Sequence, residues 1–298
     1  LGRVLSDVEP GFVVSNLDER EFGYTARDFS RVVALIRAHA GIQLNPSKEQ
    51  MVYSRLVRRL RACGANSFRE YLDRLESEPA SPEWQSFINA LTTNLTAFFR
   101  EPHHFELLRQ HLVARASQDA YRIWCAAAST GEEPYSLAAT VYKGLQGDTR
   151  QVEIIASDLD TQVLATARQG VYPLERLESF GLAERRAYFL KGRGPNAGKA
   201  LVRQELRQMI EFRQINLLHD DWGLAGLFDA VFCRNVMIYF DQATQRKILE
   251  KIAGLLKPDG LLCVGHSESL HFMGRLFKPC GRTAYVLHPG AEDVRMGR

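Results

Sequence analysis

The stretch Ile123–Tyr135, Ile-Trp-Cys-Ala-Ala-Ala-Ser-Thr-Gly-Glu-Glu-Pro-Tyr, restricts this chain more than any other. Its first residues are apolar and end at a turn signal, which predicts a short buried strand. Ser129-Thr130-Gly131 breaks the run. Glu132 and Glu133 then open a polar turn, and Pro134 suits the first turn of a helix, where its missing N–H is not needed. Leu137, Ala138, Val141 and Tyr142 continue at helical spacing. Strand, glycine turn and helix start in this order predict an open α/β sheet that binds a ligand at its carboxyl edge.

The loop also constrains that ligand. Gly131 can take a positive φ without a Cβ penalty, and the small residues before it allow close approach to the backbone. A pyrophosphate site would require a fuller G-x-G-x-x-G. This loop has one glycine and two carboxylates, which repel phosphate and suit an amino group or ribose hydroxyls. The next strand, from Val152, ends in Ser157-Asp158-Leu159-Asp160. An acid at that position is placed to accept from a ribose. A ligand with a ribose, a cationic amine and no phosphate follows, and S-adenosylmethionine fits better than NAD. The plain alternative for Glu132 and Glu133 is favourable charge at a helix N-terminus, worth about 0.3–1 kcal/mol.

At 298 residues the chain is long enough for two domains. No apolar run approaches the ~20 residues that span a bilayer, and no secretion signal is read at the amino terminus. The net charge of +3 does not by itself argue for nucleic acid. Five cysteines without a C-x-x-C, three of them inside apolar runs (Cys125, Cys233, Cys263), imply core filling and a reducing, cytoplasmic compartment.

Before the sheet, a tail (residues 1–24) precedes an all-helical domain over 25–93. Phe29, Val32, Val33, Ile36 and Ala40 form one helix face that stops at Gly41. Asn45-Pro46 starts a second helix, with Val52, Leu56, Val57 and Leu60 inward and Lys48, Arg55, Arg58 and Arg59 opposite. Like charges at this spacing repel, and no acid is interleaved among them. That face is either solvated or a dock for an acidic partner. Two more helices follow near Ser67 and Ser81. Residues 91–102, aromatic on one side and polar on the other, read as a joint folded against something. His103 and His104 are adjacent, share no helix face and have no third ligand at helical spacing, so no metal is expected.

The domain over 94–298 carries an insert near 188–214. Ala200–Glu205 and Gln208–Gln214 are read there as short antiparallel strands, whose free edge could accept a peptide or simply cover the core. Phe228–Cys233 is a buried strand, and Thr283–Leu287 a last one that closes the sheet. Gly265-His-Ser-Glu-Ser269 faintly matches the hydrolase elbow but lacks its second glycine.

Together R-L-V-R-R-L-R (55–61), L-T-T-N-L-T-A-F-F-R-E (91–101), A-A-A-S-T-G-E-E-P-Y-S (126–136), A-S-D-L-D (156–160), F-D-A-V-F-C-R-N-V-M-I-Y-F (228–240), L-L-K-P-D-G (255–260) and G-H-S-E-S (265–269) resemble the chemotaxis receptor methyltransferases, the CheR family. The resemblance runs from about residue 25 to 288. It implies a helical domain before a Rossmann-like methyltransferase sheet with a small antiparallel insert. It implies methyl transfer from S-adenosylmethionine, leaving S-adenosylhomocysteine, to glutamates on chemoreceptor cytoplasmic helices. By resemblance the cofactor contacts are Asn94, Thr96, Arg100, Glu133, Asp158, Asn216, Leu217, Arg234 and Asn235. Arg100 and Tyr239 match positions near the transferred methyl, and Arg55, Arg58 and Arg59 a receptor-docking face. In some members the insert also holds the receptor's carboxyl-terminal peptide, and Gly192–Gly198 is similar to theirs. Two rival classes are a nucleic-acid methyltransferase, for which no base pocket is read, and a silent receptor-binding module. Nothing calls for more than a monomer or for membrane insertion.

Overall fold

The computed structural model describes residues 20–115, 120–149 and 151–289. The expected tail lies outside it as far as residue 19. From Arg20 the chain is packed rather than loose. The Arg20 guanidinium lies over the Tyr53 ring, the Phe22 N–H donates to the Tyr53 hydroxyl, and Phe22 and Tyr24 pack on the helical core.

Four helices form the first layer: α1 (Ala26–Ala40), α2 (Glu49–Cys63), α3 (Phe68–Ser77) and α4 (Glu83–Leu91). Thr25 and Asp28 make a reciprocal capping box at the start of α1. Asn45-Pro46 opens a 3-10 turn, Pro46–Lys48, that leads into α2, and Asn45 provides no side-chain cap. Gly41 ends α1 at φ 70°, and a Cβ there would lie 2.9 Å from Leu218 and from the Phe240 ring. The glycine therefore serves two needs, a left-handed backbone and close docking onto the sheet domain.

The second layer follows as α5 (His103–Val113), β1 (Tyr121–Ala126), α6 (Glu132–Gly144), β2 (Val152–Asp158) and α7 (Thr161–Gln169). An insert then brings β3 (Val171–Pro173), α8 (Leu182–Tyr188), β4 (Phe189–Lys191) and β5 (Lys199–Val202). The chain returns through α9 (Gln204–Arg207), β6 (Ile210–Gln214), β7 (Phe228–Cys233), α10 (Gln242–Leu255), β8 (Leu256–Cys263), β9 (Phe277–Gly281) and β10 (Ala284–Leu287).

Among the described residues the main sheet has the order β6-β2-β1-β7-β8-β10-β9. Pairing is parallel from β6 to β8, and β10 runs antiparallel to both its neighbours. Side chains alternate between two cores, with Ile123 and Cys125 on one face and Trp124 and Ala126 on the other. Burial of both faces explains why β1 reads as a continuous apolar run.

Two sequence expectations need correction. Ile210–Gln214 is not an antiparallel strand of the insert; it pairs parallel with β2 as an edge of the main sheet. The insert's own sheet, in the order β3-β5-β4, uses Val171–Pro173 in its place. Periodicity assigns a strand but not its partner, so both placements satisfy the pattern. Nor does Thr283–Leu287 close the sheet, because β10 slots between β8 and the edge strand β9. The joint at 91–102 does fold against something. Phe98 meets the rings of Tyr172, Phe180 and Phe189 edge-on at 5.0–5.8 Å, all of them from the insert.

Candidate active site

A cavity of about 400 Å³ opens at the carboxyl ends of β1, β2 and β7. Residues Ala40–Met51 of the helical domain and the 91–100 joint complete its wall. Its size is within the ~300–1,000 Å³ usual for small-molecule sites. All nine residues expected to contact a cofactor, together with Tyr239, line this one cavity.

Local backbone geometry builds its floor. After β1 the chain turns sharply, with Ala127 at φ 73°, Ser129 at φ 49° and Gly131 at φ 99°. The Ala127 and Ala128 amides both donate to the Ser157 carbonyl at 2.8 Å, pinning the turn to the end of β2. A Cβ on Gly131 would lie 2.6 Å from the Tyr172 hydroxyl, so here glycine answers to packing as well as to φ.

Asp158 accepts from the Ser129 amide at 2.8 Å and the Asp160 amide at 2.9 Å. Burial nevertheless raises its carboxyl to about 6. A carboxylate has about four lone-pair sites, so capacity remains for ribose hydroxyls. Glu133 is buried at the start of α6, accepting from Arg234 Nη1 at 2.6 Å and from the Cys125 thiol at 3.3 Å. Burial pushes the Glu133 carboxyl up, against the pull of Arg234. Its attraction for a cationic amine is therefore shared with a guanidinium, which the sequence did not reveal. Glu132 does not line the cavity; its Oε2 accepts from the Thr130 hydroxyl at 2.6 Å.

Arg234 ties three segments together. Besides Glu133, it donates to the Arg100 carbonyl at 2.5 Å and lies 3.3 Å from Glu101. Asn94 and Asn216 also act as struts. Asn94 Nδ2 donates to Asp160 at 2.9 Å, and Asn216 Nδ2 donates to the His39 carbonyl at 2.8 Å, across the two domains. Thr96 offers its carbonyl to Arg176 at 3.2 Å, and Leu217 is buried. Arg100 Nη1 donates to the Leu95 carbonyl at 3.1 Å. Tyr239 sits on a 3-10 turn, Met237–Tyr239; burial raises its phenol, opposed by a hydrogen bond with Thr93 and by nearby Arg100 and Arg55.

The three arginines proposed to dock a receptor separate into different roles. Arg59 forks onto Glu83 of α4 at 2.9 and 2.5 Å, and Glu83 also accepts from the Tyr71 hydroxyl at 2.8 Å. Arg55 donates to the Thr92 carbonyl at 2.6 Å, holding the joint between the domains. Arg58 is exposed, with no partner among the described residues. No acid is interleaved among these arginines along α2, yet Arg59 is paired. The acid comes from another helix, 24 residues away, where helical spacing cannot find it.

The histidines need a similar correction. Donor atoms of Glu101, His103 and His104 lie within 4.8 Å of one another. Glu101 stands three residues before His104, in the turn before α5, at φ 57°. Any ion bound there would face the Arg234 guanidinium 3.3 Å from Glu101, a like charge beside the site. His103 and His104 each lie 3.2 Å from the Arg282 carbonyl, and His266 lies 3.0 Å from Glu101. Glu101, Glu268, Gln245 and His266 support the site and were not singled out from sequence. For Glu268 the signal lies in Gly265–Ser269, a segment that carries part of the family resemblance but gives this residue no role.

A parallel sheet whose last strand in the chain runs antiparallel, a strand-end acid and no phosphate loop fit an S-adenosylmethionine-dependent methyltransferase, and the family comparison shows that class. Residues 94–286 match the CheR methyltransferase, SAM binding domain, and residues 27–92 the CheR methyltransferase, all-alpha domain. The chain belongs to the CheR methyltransferase family. It is 54% identical over 269 residues to chemotaxis protein methyltransferase 2 of Pseudomonas aeruginosa, covering 89% of this chain and 95% of that one. It is 52% identical over 259 residues to the chemotaxis protein methyltransferases of Salmonella typhimurium and Escherichia coli, covering 87% of this chain and 89% and 90% of theirs. Among the described residues no helix is long and apolar enough to cross a membrane.

Proposed function

We propose that this chain esterifies glutamate side chains on the cytoplasmic helices of chemoreceptors, taking the methyl group from S-adenosylmethionine in the cytoplasm. The observation that carries this reading is that all nine expected cofactor residues and Tyr239 line one cavity, in a chain of the chemotaxis methyltransferase family. The cofactor supplies an electrophilic methyl on a sulfonium. Asp158 and Glu133 would hold its ribose and amine ends.

A glutamate carboxylate, with a pKa near 4.3, is already the nucleophile at neutral pH, so no general base is required. The protein's task is alignment. Arg100 orients the incoming carboxylate by charge-assisted bonds. An overly tight grip would stabilise the ground state as much as the transition state and gain nothing. Tyr239 borders the same space with its hydroxyl or ring. Arg58 is the exposed member of the docking face. The edge strand β4, with Leu190 and Lys191 exposed, is where a receptor's carboxyl-terminal peptide would add by strand pairing.

The test uses methyl-labelled S-adenosylmethionine, a receptor cytoplasmic fragment, and mild base afterwards. Label that enters the fragment and leaves as volatile methanol identifies a carboxyl methyl ester. Label that resists base places the methyl on nitrogen or carbon and refutes the glutamate reading.

A further inference from the structure

Residues Arg234–Phe240 leave β7 carrying two functions at opposite ends: Asn235 on the cofactor side and Tyr239 on the acceptor side. The segment has little regular structure, and Asn235 sits at φ 57°. Within it only the Tyr239 and Phe240 amides find partners, the Val236 and Met237 carbonyls, so the remaining donors need partners from elsewhere. One buried side chain takes the donors. Glu268, only 6% exposed, accepts from the Asn235 amide at 2.8 Å on Oε2 and from the Met237 amide at 2.7 Å on Oε1. The Gly265 amide, at 2.5 Å, also donates to Oε2. A second side chain takes the acceptors. Gln245 Nε2 donates to the Met237 carbonyl at 2.9 Å and the Phe240 carbonyl at 3.0 Å. A Cβ on Gly265 would lie 2.9 Å from the Asn235 backbone nitrogen as well as 2.2 Å from its Nδ2, so a side chain there would push the two loops apart.

Among the described residues Glu268 forms no ion pair. A buried charge without a counter-ion is retained at a cost, and here backbone amides are what offset it. The two oxygens divide the work: Oε2 serves Asn235 and Gly265, and Oε1 serves the turn that carries Tyr239.

Resting on the methyl-transfer reading of this cavity, we propose that Glu268 is a positioning residue whose two oxygens separately set the cofactor end and the acceptor end of the 234–240 segment. An amide at this position can accept on one side only. In Glu268→Gln the carbonyl oxygen keeps the two amides of Asn235 and Gly265, and the NH₂ turns against the Met237 N–H. The acceptor end then shifts while the cofactor end holds.

The full chain is assayed for thermal midpoint, for S-adenosylhomocysteine affinity by calorimetry, and for kcat on a receptor fragment. In Glu268→Gln, affinity should stay within about twofold while kcat falls by about ten- to a hundredfold, the scale of a misplaced reacting group. Glu268→Ala should lose both. Gln245→Ala, which removes only the side-chain donor to the carbonyls around Tyr239, should repeat the split. The proposal is overturned if Glu268→Gln keeps near-normal kcat, or if kcat and affinity fall together in both Glu268→Gln and Gln245→Ala. Failure of the underlying reading looks different: the wild-type chain itself would bind no S-adenosylhomocysteine or form no base-labile ester.

Discussion

Replacing Arg234 with methionine removes a guanidinium that is fully buried, 2.6 Å from Glu133 and 3.3 Å from Glu101, and fills its volume with an apolar side chain. What remains is a buried Glu133 with the Cys125 thiol as its other partner. Breaking a buried pair by removing one partner costs about 3–5 kcal/mol, because the surviving charge is left uncompensated. Against a typical total of about 5–15 kcal/mol, this is a large fraction of the stability. At about 2–4 °C per kcal/mol for a domain of this size, the thermal midpoint should fall by roughly 6–20 °C. The loss should depend on pH. Burial already raises the Glu133 carboxyl, and without Arg234 it rises further. The folded carboxyl then titrates above its unfolded value, so the penalty is small at low pH and grows as pH rises through the folded pKa. The deficit relative to wild type should be larger at pH 8 than at pH 5. Urea denaturation without cofactor measures it directly, since a ligand bound only to the folded state would mask it. Adding Glu133→Gln removes the orphaned charge and should recover about half of the loss or more. A single variant within about 1 kcal/mol of wild type, or a double variant no more stable than the single, would refute the counter-ion argument.

Four other outcomes are expected. Arg59→Ala should lose about 1–3 kcal/mol in denaturation, since it strips a part-buried fork from Glu83; Arg58→Ala should change stability by under about 0.5 kcal/mol yet weaken binding to a receptor fragment, and unchanged binding would move the docking face elsewhere. Asp158 is raised to about 6, so it is ionised and able to accept from ribose hydroxyls above that pH; S-adenosylhomocysteine affinity should decline as pH falls from 7 to 5, and Asp158→Asn should flatten the profile. Arg100→Ala should lower kcat on the order of a hundredfold with the thermal midpoint nearly unchanged, and near-normal turnover would end its orienting role.

Much of this was legible before any coordinates. The glycine turn after β1, the acid at the end of β2 and the helix stop at Gly41 each depend on a few neighbouring residues, and local backbone rules act at that range. The same rules misplaced β6. Five alternating residues specify a strand but not which strand they join or in which direction. Nor could they supply the partners of Arg55 and Arg59, which arrive from the joint between domains and from the start of α4.

The sequence by itself determined the main helices and strands, the two-domain plan and the chemical character of the ligand, because these depend on spacing and residue type. Only the tertiary structure decided which charges are available. It matched Glu133 with Arg234 across 101 residues, spent Arg59 on Glu83, and assigned Glu268 to the amides of a loop 33 residues upstream. Burial removes competing water and fixes a single partner for each such group, and burial is a property of the folded chain rather than of any segment within it.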